Sequence, residues 1–101
     1  NNDDMATGVI SALQNNSFNT GAVDSKKMIV LGVDATDAAK SAIASGYMQG
    51  TVKQDGDAMA KACVEIAQNY MNGKGALDGT SYKLDDTGVA IRIPYAPFTG
   101  K

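Results

Sequence analysis

Three polar residues stand where an α/β chain would do its chemistry: Asn2, Asp34 and Gln54. Asp34 directly follows the apolar run Met28-Ile29-Val30-Leu31-Gly32-Val33, and Gln54 follows a second short run, about Gln49 to Lys53. Asn2 opens a helical pattern, at the end of what reads as an upstream strand. In open parallel α/β sheets, ligands bind beyond the carboxyl ends of the strands, and all three residues fall there. A carboxylate accepts from two neighbouring hydroxyls, while Asn and Gln amides donate and accept together. The set suits a neutral sugar, and nothing in it pairs a nucleophile with a base. Each residue also has a plain structural reading, Asn2 and Asp34 as helix caps and Gln54 as surface. Spacing alone leaves both readings open.

Composition narrows the chemistry further. The chain of 101 residues contains no histidine, which removes the commonest general base and the commonest metal ligand. Hydrolase triads and zinc sites are therefore not expected, and no catalytic, metal or cofactor site is assigned. Net charge is −2 with a single arginine, Arg92, which speaks against a nucleic-acid partner. The carboxylate pairs Asp55/Asp57 and Asp85/Asp86 lack the converging oxygens that calcium needs. Gly73-Lys74-Gly75 lacks the spacing of a phosphate loop. The lone cysteine, Cys63, excludes an intrachain disulfide and is expected to be buried and inert. Asn15-Asn16-Ser17 fits a glycosylation pattern that recurs by chance. The six aromatics are scattered and are expected to serve packing. No apolar run approaches a membrane span.

The elements that would position these residues follow an α/β order. Asp3 or Asp4 caps a helix running to about Asn15, with Met5, Val9 and Leu13 on one face. A surface loop spans Asn15 to Lys27. The run 28–33, apolar without alternation, predicts a strand buried on both faces. Thr36 caps a short helix from Asp37 to Ser45, ended by Gly46 in a left-handed C-cap. A second strand, Gln49 to Lys53, leads to the clearest helix, Asp57 to Met71, whose wide apolar face predicts packing against a sheet. Ser81 to Tyr95 reads as two strands joined by Asp85-Asp86-Thr87-Gly88. Pro94 and Pro97 argue against a regular interior strand beyond them. The opening helix implies a strand upstream, so the sheet is expected to be incomplete without upstream residues.

Three segments taken together carry a resemblance. Asn1-Asn2-Asp3-Asp4-Met5-Ala6-Thr7-Gly8, Gly32-Val33-Asp34-Ala35-Thr36 and Gly46 to Asp55 with its Gly-Thr-Val strand resemble, in order, strand-end segments of bacterial periplasmic sugar-binding proteins of the glucose/galactose type. Asn72-Gly73-Lys74-Gly75, Asp78-Gly79-Thr80 and Ile91-Arg92-Ile93-Pro94-Tyr95 fit the same family. The likeness covers essentially the whole chain. It implies a partial type I periplasmic-binding-protein-like fold, a parallel sheet flanked by helices. It also implies a two-lobed hinge protein that holds sugar between α/β lobes, with Asn2, Asp34 and Gln54 hydrogen-bonding the sugar from this part. Gln54 stands where the best-known glucose/galactose members carry Asn, and its longer reach bears on which hydroxyl it serves.

By the same resemblance, residues 1–54 belong to the C-terminal lobe and 55–80 form a helical segment of the N-terminal lobe. Residues 81–101 form a hairpin and return to the C-terminal lobe. The implied protein is the substrate-binding component of an ABC importer, in the periplasm or as an extracytoplasmic lipoprotein. Its implied partners are a monosaccharide, the importer's membrane permease and a chemoreceptor. The isolated segment is expected either to self-associate through apolar faces left without partners or not to fold as it does in the parent. A different class shares this fold, the effector-binding core of a lactose-repressor-type transcription factor. Those cores commonly carry Pro soon after the position of Gln54, where this chain has Asp55. An enzyme is the third and weakest reading, since no residue set here could run one.

Overall fold

Helix α1 (Asp3–Asn15) starts because Asn2, in extended backbone, accepts a hydrogen bond from the Met5 N–H through its side chain. The cap is thus Asn2, and Asp3 and Asp4 lie in the first turn, where negative charge complements the helix dipole. A computed structural model describes residues 2–100. It divides them into two compact units, Asn1–Gln54 with Tyr95–Lys101, and Asp55–Pro94.

In the first unit, α1 is followed by β1 (Leu31–Val33), α2 (Asp37–Ala44) and β2 (Gly50–Lys53), with β3 (Ala96–Phe98) at the end of the chain. Thr36 caps α2, as the sequence predicts, by accepting from the Ala39 N–H, and Gly46 beyond it is left-handed at φ +74°. β1 and β2 run parallel, Leu31 opposite Gly50 and Val33 opposite Val52. The sheet order is β1-β2-β3, and β3 is antiparallel to β2, with Pro97 opposite Val52. The sheet is therefore mixed. Pro97 is tolerated because β3 is an edge strand, where the missing N–H costs no interior ladder bond.

Ala6 and Ile10 of α1, Ala39 and Ile43 of α2, Val30 and Met48 make one core, with Leu13, Ala42, Tyr47 and Phe98 packed on it. The expectation of a strand buried on both faces is not met. Val30 and Gly32 are buried, but Ile29 is 81% and Leu31 64% exposed. Burial alternates although residue type does not, because among the described residues α1 and α2 cover one face. The strand is also shorter than the apolar run, because side chains take its first backbone groups. Val30 N–H donates to Gln49 Oε1 at 2.7 Å, and Met28 N–H donates to Asn19 Oδ1 at 2.7 Å.

Asn19 organises the loop before the sheet. Only 2% exposed, it also donates from Nδ2 to the carbonyls of Met28 (2.8 Å) and Tyr47 (3.2 Å). Its backbone is left-handed at φ +48°, a conformation that Asn tolerates better than most residues. Asn19→Ala is expected to cost about 1–3 kcal/mol, because it leaves these backbone groups without their partner. A chemical denaturation midpoint equal to the wild type's would contradict that.

The second unit is built on α3 (Gly56–Met71), capped by Asp55 through the Ala58 N–H. It ends at Asn72, with Gly73 left-handed at φ +67°. Asn69 Nδ2 then ties down the following loop by donating to the carbonyls of Ala76 (3.0 Å) and Asp78 (2.9 Å). The expected turn is present: Gly88 N–H donates to Asp85 O at 2.9 Å and Asp85 N–H to Ala90 O at 2.7 Å. The two strands expected beside it are reduced to a single antiparallel bridge, Leu84 to Ile91. The Thr87 hydroxyl, more than the Arg92 guanidinium, holds the Asp85 carboxyl below its ordinary range, against a smaller opposing effect of burial. Of α3 only Ala62 is buried, and Val64, Tyr70 and Met71 are exposed. Instead of packing on a sheet, its apolar face lines an open cavity of about 420 Å³ with Leu77, Leu84 and Ile91 among its walls. Cys63, expected to be buried, is an exposed thiol on that cavity. Tyr70 and Tyr95 are likewise exposed rather than packed.

Candidate functional site

The parallel register brings the ends of β1 and β2 side by side, so the residues that follow them are neighbours. Asp34 leaves β1 with its N–H donating to Val52 O at 2.8 Å, one residue before the end of β2. Gln54, the first residue after β2, donates from Nε2 to Asp34 Oδ1 at 3.0 Å. Two of the three residues singled out by the sequence are thus joined directly. Asp34 is exposed and Gln54 half-buried. Among the described residues, Asp34 Oδ2 and Gln54 Oε1 make no side-chain hydrogen bond. The pair therefore offers a ligand a carboxylate oxygen and an amide carbonyl, two acceptors suited to hydroxyl donors.

The backbone at this point is unusual. Asp34 has φ +113° and Ala35 φ +54°, two consecutive non-glycine residues in left-handed territory. Such residues cost about 1–3 kcal/mol each and persist where their surroundings overdetermine them. Here the surroundings are a chain of bonds behind the turn. Ala35 N–H donates to Thr51 Oγ1 at 3.2 Å, and Thr36 N–H donates to Asp3 Oδ2 at 2.7 Å. The Thr51 hydroxyl in turn donates to Asp3 Oδ1 at 2.6 Å. With the bond from Asp34 N–H to Val52, three successive amides are fixed. Asp3 is fully buried at 0% exposure and Thr51 is 4% exposed. Both oxygens of the Asp3 carboxylate have donors, as a buried acceptor requires.

Asn2 is placed differently. Its Oδ1 is committed to the Met5 N–H at 3.0 Å, which is the capping reading. It makes no hydrogen bond with Asp34 or Gln54, and lines a shallow groove with Met5, Val9 and Ile29. Its amide nitrogen has no protein partner among the described residues and keeps its donor capacity. Asp3 and Thr51 went unassigned at the sequence level. The available signals were an acid beside a cap and a lone hydroxyl inside Gly50-Thr51-Val52. Among the described residues no group of three or more His, Cys, Asp or Glu could hold a metal ion. No helix among them is long and apolar enough to cross a membrane.

Comparison with known proteins bears on this arrangement. Residues 1–75 match the family described as Periplasmic binding protein domain. The chain is 37% identical over 95 residues to the D-galactose/methyl-galactoside binding periplasmic protein MglB of Haemophilus influenzae. That alignment takes in 94% of this chain and 26% of the relative, so the chain spans about a quarter of the relative's length.

Proposed function

This chain belongs to the periplasmic binding protein domain family, and from that premise we propose that it is part of a monosaccharide receptor serving an ABC importer. The family is the one that the three strand-end segments resemble. The observation that carries the proposal is the Asp34–Gln54 pair at adjacent carboxyl ends of parallel strands, where α/β sheets receive their ligands. Asp34 accepts from sugar hydroxyls, Gln54 offers its free carbonyl, and Asn2 donates from the amide nitrogen left over from capping. The sugar is of the glucose/galactose kind by the resemblance, and the relative's name supports the galactose part of that reading.

In the whole protein, sugar lies in a cleft between two lobes and stabilises the closed state of a hinge. By the resemblance, residues 1–54 are assigned to the C-terminal lobe, 55–80 to a helical segment of the N-terminal lobe, and 81–101 to a hairpin that returns to the C-terminal lobe. The location is periplasmic, and the partners are the importer's permease and a chemoreceptor. The protein is a binder and no catalytic role is assigned to it. The lactose-repressor reading is not favoured, since the relative is a periplasmic sugar-binding protein.

Calorimetric titration of the full-length protein with glucose, galactose, ribose and xylose tests this. One hexose is expected to bind at one site per molecule with micromolar or better affinity, a binding free energy of about −8 kcal/mol. Silence with all four sugars would mean that the family's fold is present without this ligand.

A further inference from the structure

We infer that Asp3 and Thr51 are positioning residues that hold Asp34 in its ligand-ready conformation; the inference rests on the monosaccharide reading above. Neither side chain is available to a sugar, since both are buried beneath the turn. What they control is backbone. Asp34 and Ala35 are left-handed in succession, and the chain has a more relaxed alternative at each. The turn is kept in place by the amides of Ala35 and Thr36, which end on the Thr51 hydroxyl and the Asp3 carboxylate. The Thr51–Asp3 hydrogen bond joins these anchors across 48 residues of sequence, so α1, β2 and the start of α2 are locked to one carboxylate. A ligand group on a turn held in this way is preorganised, and binding loses less conformational freedom. Thr51 thus has two uses: its backbone sits in the sheet opposite Gly32 and Phe98, while its hydroxyl accepts from the Ala35 N–H and donates to the Asp3 carboxylate.

Two measurements test the inference in the full-length protein. The first needs neither sugar nor a variant. Amide hydrogen exchange at Ala35 and Thr36 is expected to be slow for a surface turn, and exchange at the rate of an open loop would overturn the inference. The second is a set of calorimetric titrations with the best-bound hexose, each variant first shown to be folded by its melting transition. Thr51→Val, which keeps the shape and removes the hydroxyl, is expected to weaken binding about tenfold, the scale of one hydrogen bond's worth of free energy. Thr51→Ser, which restores the hydroxyl without the methyl, is expected to bind within about twofold of wild type, well below that scale. A merely structural role would not separate these two variants in affinity. In an Asp34→Ala background, Thr51→Val is expected to add little, because it acts through the residue already removed. If Asp34→Ala loses affinity while Thr51→Val does not, the positioning role is wrong and the receptor reading stands. If no sugar binds, the receptor reading falls and the positioning role with it. If a hexose binds but Asp34→Ala binds it as wild type does, Asp34 leaves the site and the positioning role falls while the receptor reading stands.

Discussion

Asp34→Ala is expected to weaken monosaccharide binding by about ten- to a hundredfold or more, because a charge-assisted hydrogen bond is worth roughly 1.5–3 kcal/mol. The carboxylate is exposed and, among the described residues, its one side-chain partner is the Gln54 amide, so little of the fold rests on it. Most of the loss should therefore appear in affinity rather than in melting temperature. The position also has φ +113°, where Ala is less comfortable than Asp, and truncation alone mixes strain with lost contacts. Asp34→Asn separates the two. Asn tolerates left-handed backbone and keeps one acceptor, so it removes charge without the conformational penalty. An intermediate loss for Asn and a larger one for Ala would identify the carboxylate as the ligand group. Unchanged affinity in both variants would remove Asp34 from the site, and calorimetry of the full-length protein decides between these results.

The sequence made Asp34 and Gln54 conspicuous because strand ends are a local property. A run of apolar residues, a polar residue and a helix cap can be read within about ten positions. That these two would touch followed only once the parallel pairing of β1 with β2 set Val33 opposite Val52. Asp3 was beyond reach for the same reason. Its partners Thr36 and Thr51 lie 33 and 48 residues away, and nothing local distinguishes it from Asp4, which is exposed. The helix caps Thr36 and Gly46 were legible because capping is short-range chemistry. Asn2 was legible twice over, as cap and as site residue. The cap is what its hydrogen bond to Met5 describes, and the site role stays a proposal.

The misreadings share one physical cause: the sequence states which residues are apolar but not how many neighbours cover them. Met28 to Val33 looked buried on both faces, yet only Val30 and Gly32 turn towards the helices. Cys63 sits on an apolar helical stripe, yet that stripe opens onto a cavity. Pro94 and Pro97 argue only against a regular interior strand, and Pro97 sits in β3, an edge strand that accommodates it at no ladder cost. The short strand itself carries no signal that the sequence made legible. Expected strands flanking the Asp85–Gly88 turn shrank to one bridge, because a turn signal fixes a reversal of the chain without fixing how far pairing continues from it.

Gly32→Ala is expected to be among the most destabilising single-methyl additions to this chain. Gly32 is not at a positive φ, so backbone freedom is not the reason for glycine. Space is. A Cβ built there falls onto the Asp3 carboxylate oxygen Oδ1 and lies 2.6 Å from the Met48 methyl, with the Asp3 backbone 3.3 Å away. Met48 could yield in an open setting, but it is one of the two largest fully buried side chains, and its neighbours leave it little room. Asp3 cannot yield without giving up the hydrogen bonds from Thr51 and Thr36. Overpacking costs about 1–3 kcal/mol, and a displaced buried acceptor adds about 1–3 kcal/mol, so a total of about 2–6 kcal/mol is expected in denaturant unfolding. Gly8→Ala supplies the contrast. Gly8 lies inside α1 with nothing within 4 Å of its added Cβ, and Ala there should stabilise by about 0.5–1 kcal/mol. If both substitutions moved the unfolding midpoint alike, the close seating of Asp3 on Gly32 would be wrong. If Gly32→Ala alone unfolds early and the surviving folded fraction binds sugar weakly, the methyl has displaced the carboxylate that holds the turn of Asp34.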